Sequence, residues 1–250
     1  MRIAVAGGTG VVGRHVVEAL VATGHEPVVL ARSRGINIVT GEGLESALVG
    51  VEAVIDVSNV ITTLRRKSEA FFIASTRQLL HAGERAGVRH HVVLSIVGSD
   101  RVDYGYYQGK RRQEELVLNG PAPASVLRAT QFHEFAAQVL AGTKGPLALV
   151  PHMRIQPVAA NEVAIALAEL ACGPALGLAD ELAGPQEHQL VDLARRVVTA
   201  RGVHRRVVGV RFPGAAGRAM ATGGLLPAAD GPRGTQTFDQ WLAASGTLHP

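Results

Sequence analysis

Arg2-Ile3-Ala4-Val5-Ala6-Gly7-Gly8-Thr9-Gly10-Val11-Val12-Gly13 is the stretch that decides the fold. Residues 2–6 are a short apolar run that reads as a buried strand. Glycines follow at once, and apolar residues then recur at helical spacing to about Thr23, with Gly24 as the stop. A strand that turns through glycines directly into a helix has a physical use. The turn is tight, the backbone can approach a pyrophosphate closely, and the free amides of the helix start meet its charge.

Working outward, the same alternation continues. Strands are predicted at Pro27–Ala31, Ile36–Thr40, Ala53–Val57, His91–Ser95 and Ala124–Leu127, each a short apolar run as expected where helices cover both faces of a sheet. Between them lie predicted helices over Arg65–Ala86, stopped by Gly87, and Tyr106–Leu118. This is an α/β pattern, a doubly wound parallel sheet of the Rossmann kind. From Phe132 the rhythm loosens. Helices are expected at Phe132–Leu140, Asn161–Ala171, Leu190–Ala200 and Phe238–Ala243, with apolar strands at Leu147–Val150 and Arg206–Val210 and a loop-rich Gly/Pro segment from Phe212 to Gly234. Residues 1–250 are read as a single dinucleotide-binding domain, with 132–250 forming a small C-terminal α/β cap on the substrate side.

Composition narrows the function classes. With 47% hydrophobic and 18% charged residues, the 250-residue chain is neither disordered nor low in complexity. A single cysteine, Cys172, excludes a disulfide framework and a cysteine-rich metal site, and points to a cytoplasmic protein. No long uncharged apolar run is present to span a membrane, and the amino terminus is too short in its apolar part to be a secretory signal. The net charge of +4 is spread along the chain and aromatics are 4%, so no nucleic-acid platform is expected. The 25 basic residues are 22 arginines and only three lysines, at 67, 110 and 144, which gives each lysine weight.

The second predicted strand indicates the dinucleotide. NAD sites usually carry Asp or Glu about 20 residues past the glycines to hold the ribose 2′-hydroxyl. Here the segment is Leu30-Ala31-Arg32-Ser33-Arg34, without a carboxylate. Arg32, with Ser33 and Arg34, suits a 2′-phosphate instead, so the expected cofactor is NADP.

The glycine turn, the Ala31-Arg32-Ser33 strand end, Asn59, Ser95 and Leu127-Arg128-Ala129-Thr130-Gln131-Phe132 together resemble the atypical short-chain dehydrogenase/reductase superfamily, in particular its NmrA-like, NAD(P)H-binding group. The resemblance runs over about residues 1–170 and loosely through Gln156-Pro157-Val158 and Asn161-Glu162-Val163-Ala164. It implies NADP in an extended pose and a small substrate between sheet and cap. Cofactor contacts are implied for Gly7, Thr9, Gly10, Val11, Val12, Gly13, Arg32, Ser33, Arg34, Ser58, Asn59, Ser95 and Lys110. Substrate contacts are expected at Gln131, Phe132 and His133, which follow the sixth predicted strand at the carboxyl edge of the sheet. Members include reductases of ketones, quinones and conjugated carbonyls, and also non-catalytic redox sensors that act through a protein partner.

Tyr106 and Lys110 supply the candidate chemistry. Four residues apart, they share one helical face. An ammonium there lowers the phenol's pKa and holds the nicotinamide ribose, while the phenol protonates a carbonyl as hydride arrives. Tyr107, three residues from Lys110, competes for the phenol's role. The superfamily's orienting hydroxyl lies just past the fifth predicted strand, where this chain reads Leu94-Ser95-Ile96-Val97-Gly98-Ser99. Ser95 matches the first serine of the usual run, Val97 stands at the acting position, and Ser99 is the substitute on offer. No metal site is expected: His90-His91 on a strand point to opposite faces, and His133-Glu134 lacks a second histidine four residues on.

Overall fold

β1 (Arg2–Ala6) is flanked by β2 (Glu26–Leu30) on one side and β3 (Ala53–Asp56) on the other, all parallel. In this computed structural model, which describes residues 1–246, β4 (His90–Ile96), β5 (Ala124–Ala129) and the two-residue β8 (Gly177–Leu178) extend the sheet, in the order β2-β1-β3-β4-β5-β8. The last four positions of the expected 132–250 cap lie outside the described residues. The sheet is parallel throughout, as expected of a doubly wound fold. The chain leaves β1 for β2 in one direction and builds β3, β4 and β5 in the other. The topological switch point therefore lies between the carboxyl ends of β1 and β3, where open α/β sheets open a crevice for ligands.

Alternate side chains along the strands face opposite layers. Ile3 and Val5 of β1, Ile55 of β3 and Leu94 of β4 pack against α1 (Val11–Ala22) and α6 (Ala160–Cys172). Ala4, Ala6 and Val54 turn the other way, toward the short α2 (Leu44–Ala47) and the long α3 (Arg65–Ala86), which packs along α4 (Gly105–Leu118). Burial of these β-branched and aliphatic faces, at about 25 cal/mol per Å² of apolar surface, is what holds the layers.

A further apolar cluster belongs to the C-terminal part. It joins α5 (Phe135–Ala141), the parallel pair β6 (Leu147–Pro151) and β10 (Arg206–Val210), α7 (Leu190–Ala200), α8 (Gly214–Ala221) and α9 (Phe238–Gly246). β7 (Arg154–Ile155) and β9 (His188–Gln189) form a small antiparallel pair beside it. Val102 and Tyr107, from the β4–α4 loop and α4, enter this cluster and fix the cap to the sheet.

Three expectations need correction. Ile36–Thr40 is not a strand: Gly35 and Gly41 take left-handed backbones, and the Asn37 side chain accepts the Val39 amide at 3.0 Å, closing a turn. Ile36 and Ile38 still pack on the core, so the apolar run reported burial rather than pairing. The segment expected as a helix from Phe132 instead continues extended, with Phe132 bridging Val158, and turns helical only at Phe135. The glycine- and proline-rich 212–234 stretch contains a helix, α8, started by Pro213 in an extended conformation.

Candidate functional site

At the switch point, the glycine turn divides into positions the fold requires and one it leaves open. Gly7 has φ +82°, and a Cβ there would lie 2.8 Å from the Ser58 amide nitrogen. A Cβ on Gly13 would collide with the Gly7 carbonyl oxygen, so helix and strand approach only because Gly13 has none. At Gly10 the only atom near a Cβ is the Gly7 oxygen, at 3.2 Å, and the backbone is ordinary and extended. The space in front of Gly10 is thus open to a ligand. Thr9 and Gly10 are exposed, Val11 is half-buried, and Val12 and Gly13 are buried against the sheet. α1 starts with no side-chain cap and no acidic residue in its first turn, leaving its amides to an anion.

β2 ends in an exposed turn formed by Arg32, Ser33 and Arg34. Neither guanidinium has a carboxylate partner among the described residues. A free cationic turn beside an open glycine position fits a phosphorylated ribose.

Across the switch point, Ser58 is buried with its hydroxyl unbonded, and its amide donates to Asp56 Oδ1 at 2.9 Å. Asn59, exposed just beyond, accepts a hydrogen bond from the Tyr106 phenol at 2.7 Å. The structure thus brings together two expected site residues 47 positions apart. Tyr106 is half-buried and stacks edge-on with Phe72 and Tyr107, and burial pushes its phenol well above the ordinary tyrosine range. Tyr107 is buried deeper, in contact with Tyr104, and burial raises it likewise.

Lys110 lies on the same helix but is held elsewhere. Its ammonium is buried, donating to the Leu94 carbonyl at 2.7 Å and to Gln113 Oε1 at 2.8 Å, and it sits 4.5 Å from the Phe72 ring centre. Burial lowers its pKa to about 8, opposed by Asp56 and Glu114. No hydrogen bond joins Lys110 to Tyr106 among the described residues. The ammonium does not lower the phenol's pKa as the spacing predicts; burial dominates, and the phenol is raised.

Ser95 is buried and donates to Glu114, whose carboxylate forms a two-point pair with Arg128 at 3.0 and 2.7 Å. Arg128 also reaches Asp100 at 2.8 Å. Ser95 is therefore turned toward α4 and engaged there. Val97 is fully buried, and Ser99 is buried with an unbonded hydroxyl. The left-handed Gly98 between them packs against Gly224 of the cap so closely that a Cβ would strike the Gly224 carbonyl.

The three residues after β5 separate. Phe132 joins the sheet core. His133 is buried, bonds the Gln236 carbonyl through Nε2 at 3.0 Å and stacks near Phe238 and Trp241; burial lowers its pKa. Gln131 has both amide atoms buried and unbonded. Glu162 at the start of α6 ties the cap down, accepting from the Thr235 amide and hydroxyl and the Gln236 amide at 2.7, 2.8 and 3.1 Å. Burial raises its carboxyl, but these hydrogen bonds win and hold it below the ordinary value.

Asp56, Gln113 and Glu114 are not among the expected site residues, and Arg128 enters the sequence reading only within the Leu127–Phe132 run. A signal existed for two of them: Gln113 and Glu114 follow Lys110 by three and four residues, on its helical face. No group of three or more metal-ligating side chains occurs among the described residues, and none of their helices is long and apolar enough to cross a membrane.

Fold and turn together define the class, a Rossmann-type doubly wound fold with a glycine turn at its switch point. Over residues 3–126, which run from β1 into β5, the chain matches the model of the NAD dependent epimerase/dehydratase family. A curated relative, the Photosystem II assembly factor Ycf39 of Synechocystis sp., is 32% identical over 111 residues, which span 39% of this chain and 34% of that protein. The chain thus covers about a third of the length of the curated relative it matches. Two solved structures share the fold across nearly their whole length. An NADPH-dependent quinone oxidoreductase from Escherichia coli aligns with a TM-score of 0.70 at 19% identity, covering 97% of this chain and 99% of that one. A UDP-glucose-4-epimerase from Stenotrophomonas maltophila, with bound NAD, aligns with a TM-score of 0.74 at 16% identity, covering 100% of each chain.

Proposed function

We propose that this protein is an NADPH-dependent oxidoreductase that reduces a small carbonyl, enone or quinone. The observation that carries the reading is the end of β2. Its free Arg32 and Arg34 suit a 2′-phosphate, and NADPH is a reductant that is exchanged at every turnover. An epimerase that recycles a tightly held NAD has no need of that charge. The fold is shared with the quinone oxidoreductase and the epimerase alike, so the choice rests on the two arginines.

The Gly7–Gly13 turn and the amino end of α1 would hold the pyrophosphate, and Arg32, Ser33 and Arg34 the 2′-phosphate. Ser58 and Asn59 line the crevice between β1 and β3, and Ser95 acts only through its bond to Glu114. When bound, NADPH supplies the hydride. An ammonium has three donors; Lys110 gives two to Leu94 and Gln113, which leaves one for a ribose hydroxyl. Tyr106 keeps its proton at neutral pH and directs it at Asn59, an acceptor that a substrate carbonyl would displace. Gln131, whose buried amide has no partner, would be free to bond a substrate, whereas Phe132 and His133 would shape the wall beside it. The partner is a small molecule, and the working compartment the cytoplasm.

A second reading, a non-catalytic NADP(H) sensor acting through a protein partner, is favoured by one observation. Tyr106 and Lys110 are bonded to other groups, and Ser95 is engaged by Glu114. One experiment separates the two: NADPH and NADH binding by calorimetry, then NADPH consumption against quinones, enones and aldehydes. We expect NADPH to bind at least about tenfold tighter than NADH, with Arg32→Ala erasing most of the difference, since each charge-assisted bond contributes about 1.5–3 kcal/mol. Tyr106→Phe should lower turnover about 10²–10⁴-fold at nearly unchanged NADPH affinity. Equal affinities would sink the cofactor assignment. A wild type that binds NADPH tightly but turns over nothing would make the protein a sensor.

A further inference from the structure

We propose that Asp56 and Gln113 are positioning residues, a buried hydrogen-bond relay that couples Lys110 to the glycine turn. The inference rests on the reading of Lys110 as a group that meets the dinucleotide ribose.

The relay can be followed atom by atom. Lys110 Nζ donates to Gln113 Oε1 at 2.8 Å, and Gln113 Nε2 donates to Asp56 Oδ2 at 2.8 Å. Asp56 Oδ1 accepts the Ser58 amide at 2.9 Å, and that amide nitrogen lies 2.8 Å from where a Cβ on Gly7 would stand. Asp56 and Gln113 are fully buried and Lys110 is 4% exposed, so water does not compete at any link. The amide of Gln113 has one possible orientation. Its oxygen faces a group that only donates, and its nitrogen faces a carboxylate that only accepts. A neutral amide stands between ammonium and carboxylate, and the second carboxylate oxygen is left to hold the loop that packs on the turn. A shift of Ser58 when the turn takes its ligand is thereby transmitted to the lysine through three short bonds.

The other charged and titratable groups around Lys110 are accounted for. Besides Asp56, β4 contributes His91, buried and held neutral by burial. α4 contributes Glu114, paired with Arg128 of β5, and the phenol of Tyr106 one turn away. α3 presents the Phe72 ring.

The chain's three lysines make the test direct. Isotope-labelled lysine side chains, assigned with Lys67→Arg and Lys144→Arg, would be titrated by NMR in the apo protein. Lys110 should titrate below the ordinary lysine value, and Gln113→Met should lower it by a further pH unit or so, because the ammonium loses an acceptor. Gln113→Met should also weaken NADPH about tenfold, with Lys110→Met/Gln113→Met no weaker than Lys110→Met alone, as expected when two residues act as one unit. Should Gln113→Met fail to fold, Gln113→Glu serves: it should raise the Lys110 titration and still weaken NADPH, because it sets a second carboxylate against Asp56. An unchanged Lys110 titration, or additive losses of affinity, overturns the relay. A wild type that binds neither NADPH nor NADH overturns the functional reading and the coupling together, while the titration alone still reports whether Gln113 holds the lysine.

Discussion

Around the glycine turn, Arg32, Ser33 and Arg34 reach outward with no side-chain partner among the described residues, whereas beneath α4 Ser95, Lys110, Glu114 and Arg128 are each bonded to a neighbour. The first region is organised for something that arrives. The second is organised already, and its charges support one another. The difference sets an exposed, unpartnered end of the crevice against a buried, mutually bonded one. On the proposed reading, an enzyme and a sensor would share the glycine turn and part at Tyr106 and Lys110, which are bonded to Asn59 and Gln113.

The contrast can be broken most severely inside the turn itself. Gly13→Val should abolish both folding and binding, because its Cβ would collide with the backbone of Gly7. Gly10→Val, three residues earlier, meets only one oxygen at 3.2 Å. It should keep the far-ultraviolet circular dichroism spectrum and nearly the whole apo Tm, yet lose dinucleotide binding. Calorimetry and melting curves on the two variants are the check. A Gly10→Val protein that binds normally would locate the nucleotide elsewhere.

The next effect belongs to the closed region. Arg128→Met leaves the Glu114 carboxylate buried with only Ser95 as a side-chain partner. Removing one member of a buried pair costs about 3–5 kcal/mol, and chemical denaturation should register a loss of that order. NADPH affinity should change far less than in Arg32→Ala. A loss under about 1 kcal/mol would mean that the pair is solvated in solution and behaves as a surface bridge.

Sequence reading reached these two regions unequally. The turn was legible because its chemistry is local: Gly7, Gly10 and Gly13 lie on one strand–turn–helix unit, and Arg32 follows at a fixed distance along the next strand. The parallel sheet followed from short apolar runs, and Ile36–Thr40 failed because burial and strand pairing leave the same mark on a sequence. The relay and the Ser95–Glu114–Arg128 network were not legible, since each joins residues from separate elements, as with Asp56 and Gln113, 57 positions apart. Spacing singles out Tyr106 and Lys110, but it reports only that two residues share a helix face. It does not say that the ammonium turns down toward Leu94 while the phenol turns out toward Asn59.

The smallest of the expected effects is one of pH, and it sharpens the view of the closed region as a place where charge is permitted only in partnership. His91 on β4 is fully buried, its Nε2 has no hydrogen-bond partner, and burial lowers its pKa to about 4. The folded protein therefore keeps His91 neutral between pH 6.5 and about 4, whereas the unfolded chain binds a proton there. Because the unfolded state holds more protons in that window, stability falls as the pH drops through it and is unaffected by this group above it. From pH 7 to pH 5 the contribution is about 2 kcal/mol, at 1.36 kcal/mol per pH unit below 6.5. His90, His133 and His188 are also lowered by burial and act in the same direction, so His91→Leu should flatten the pH dependence only in part. Denaturation midpoints of wild type and His91→Leu at pH 7 and pH 5 would test it. Equal pH dependence in the two proteins would mean that His91 takes up its proton in the folded state, with Asp56, on the same face of the sheet, as its acceptor.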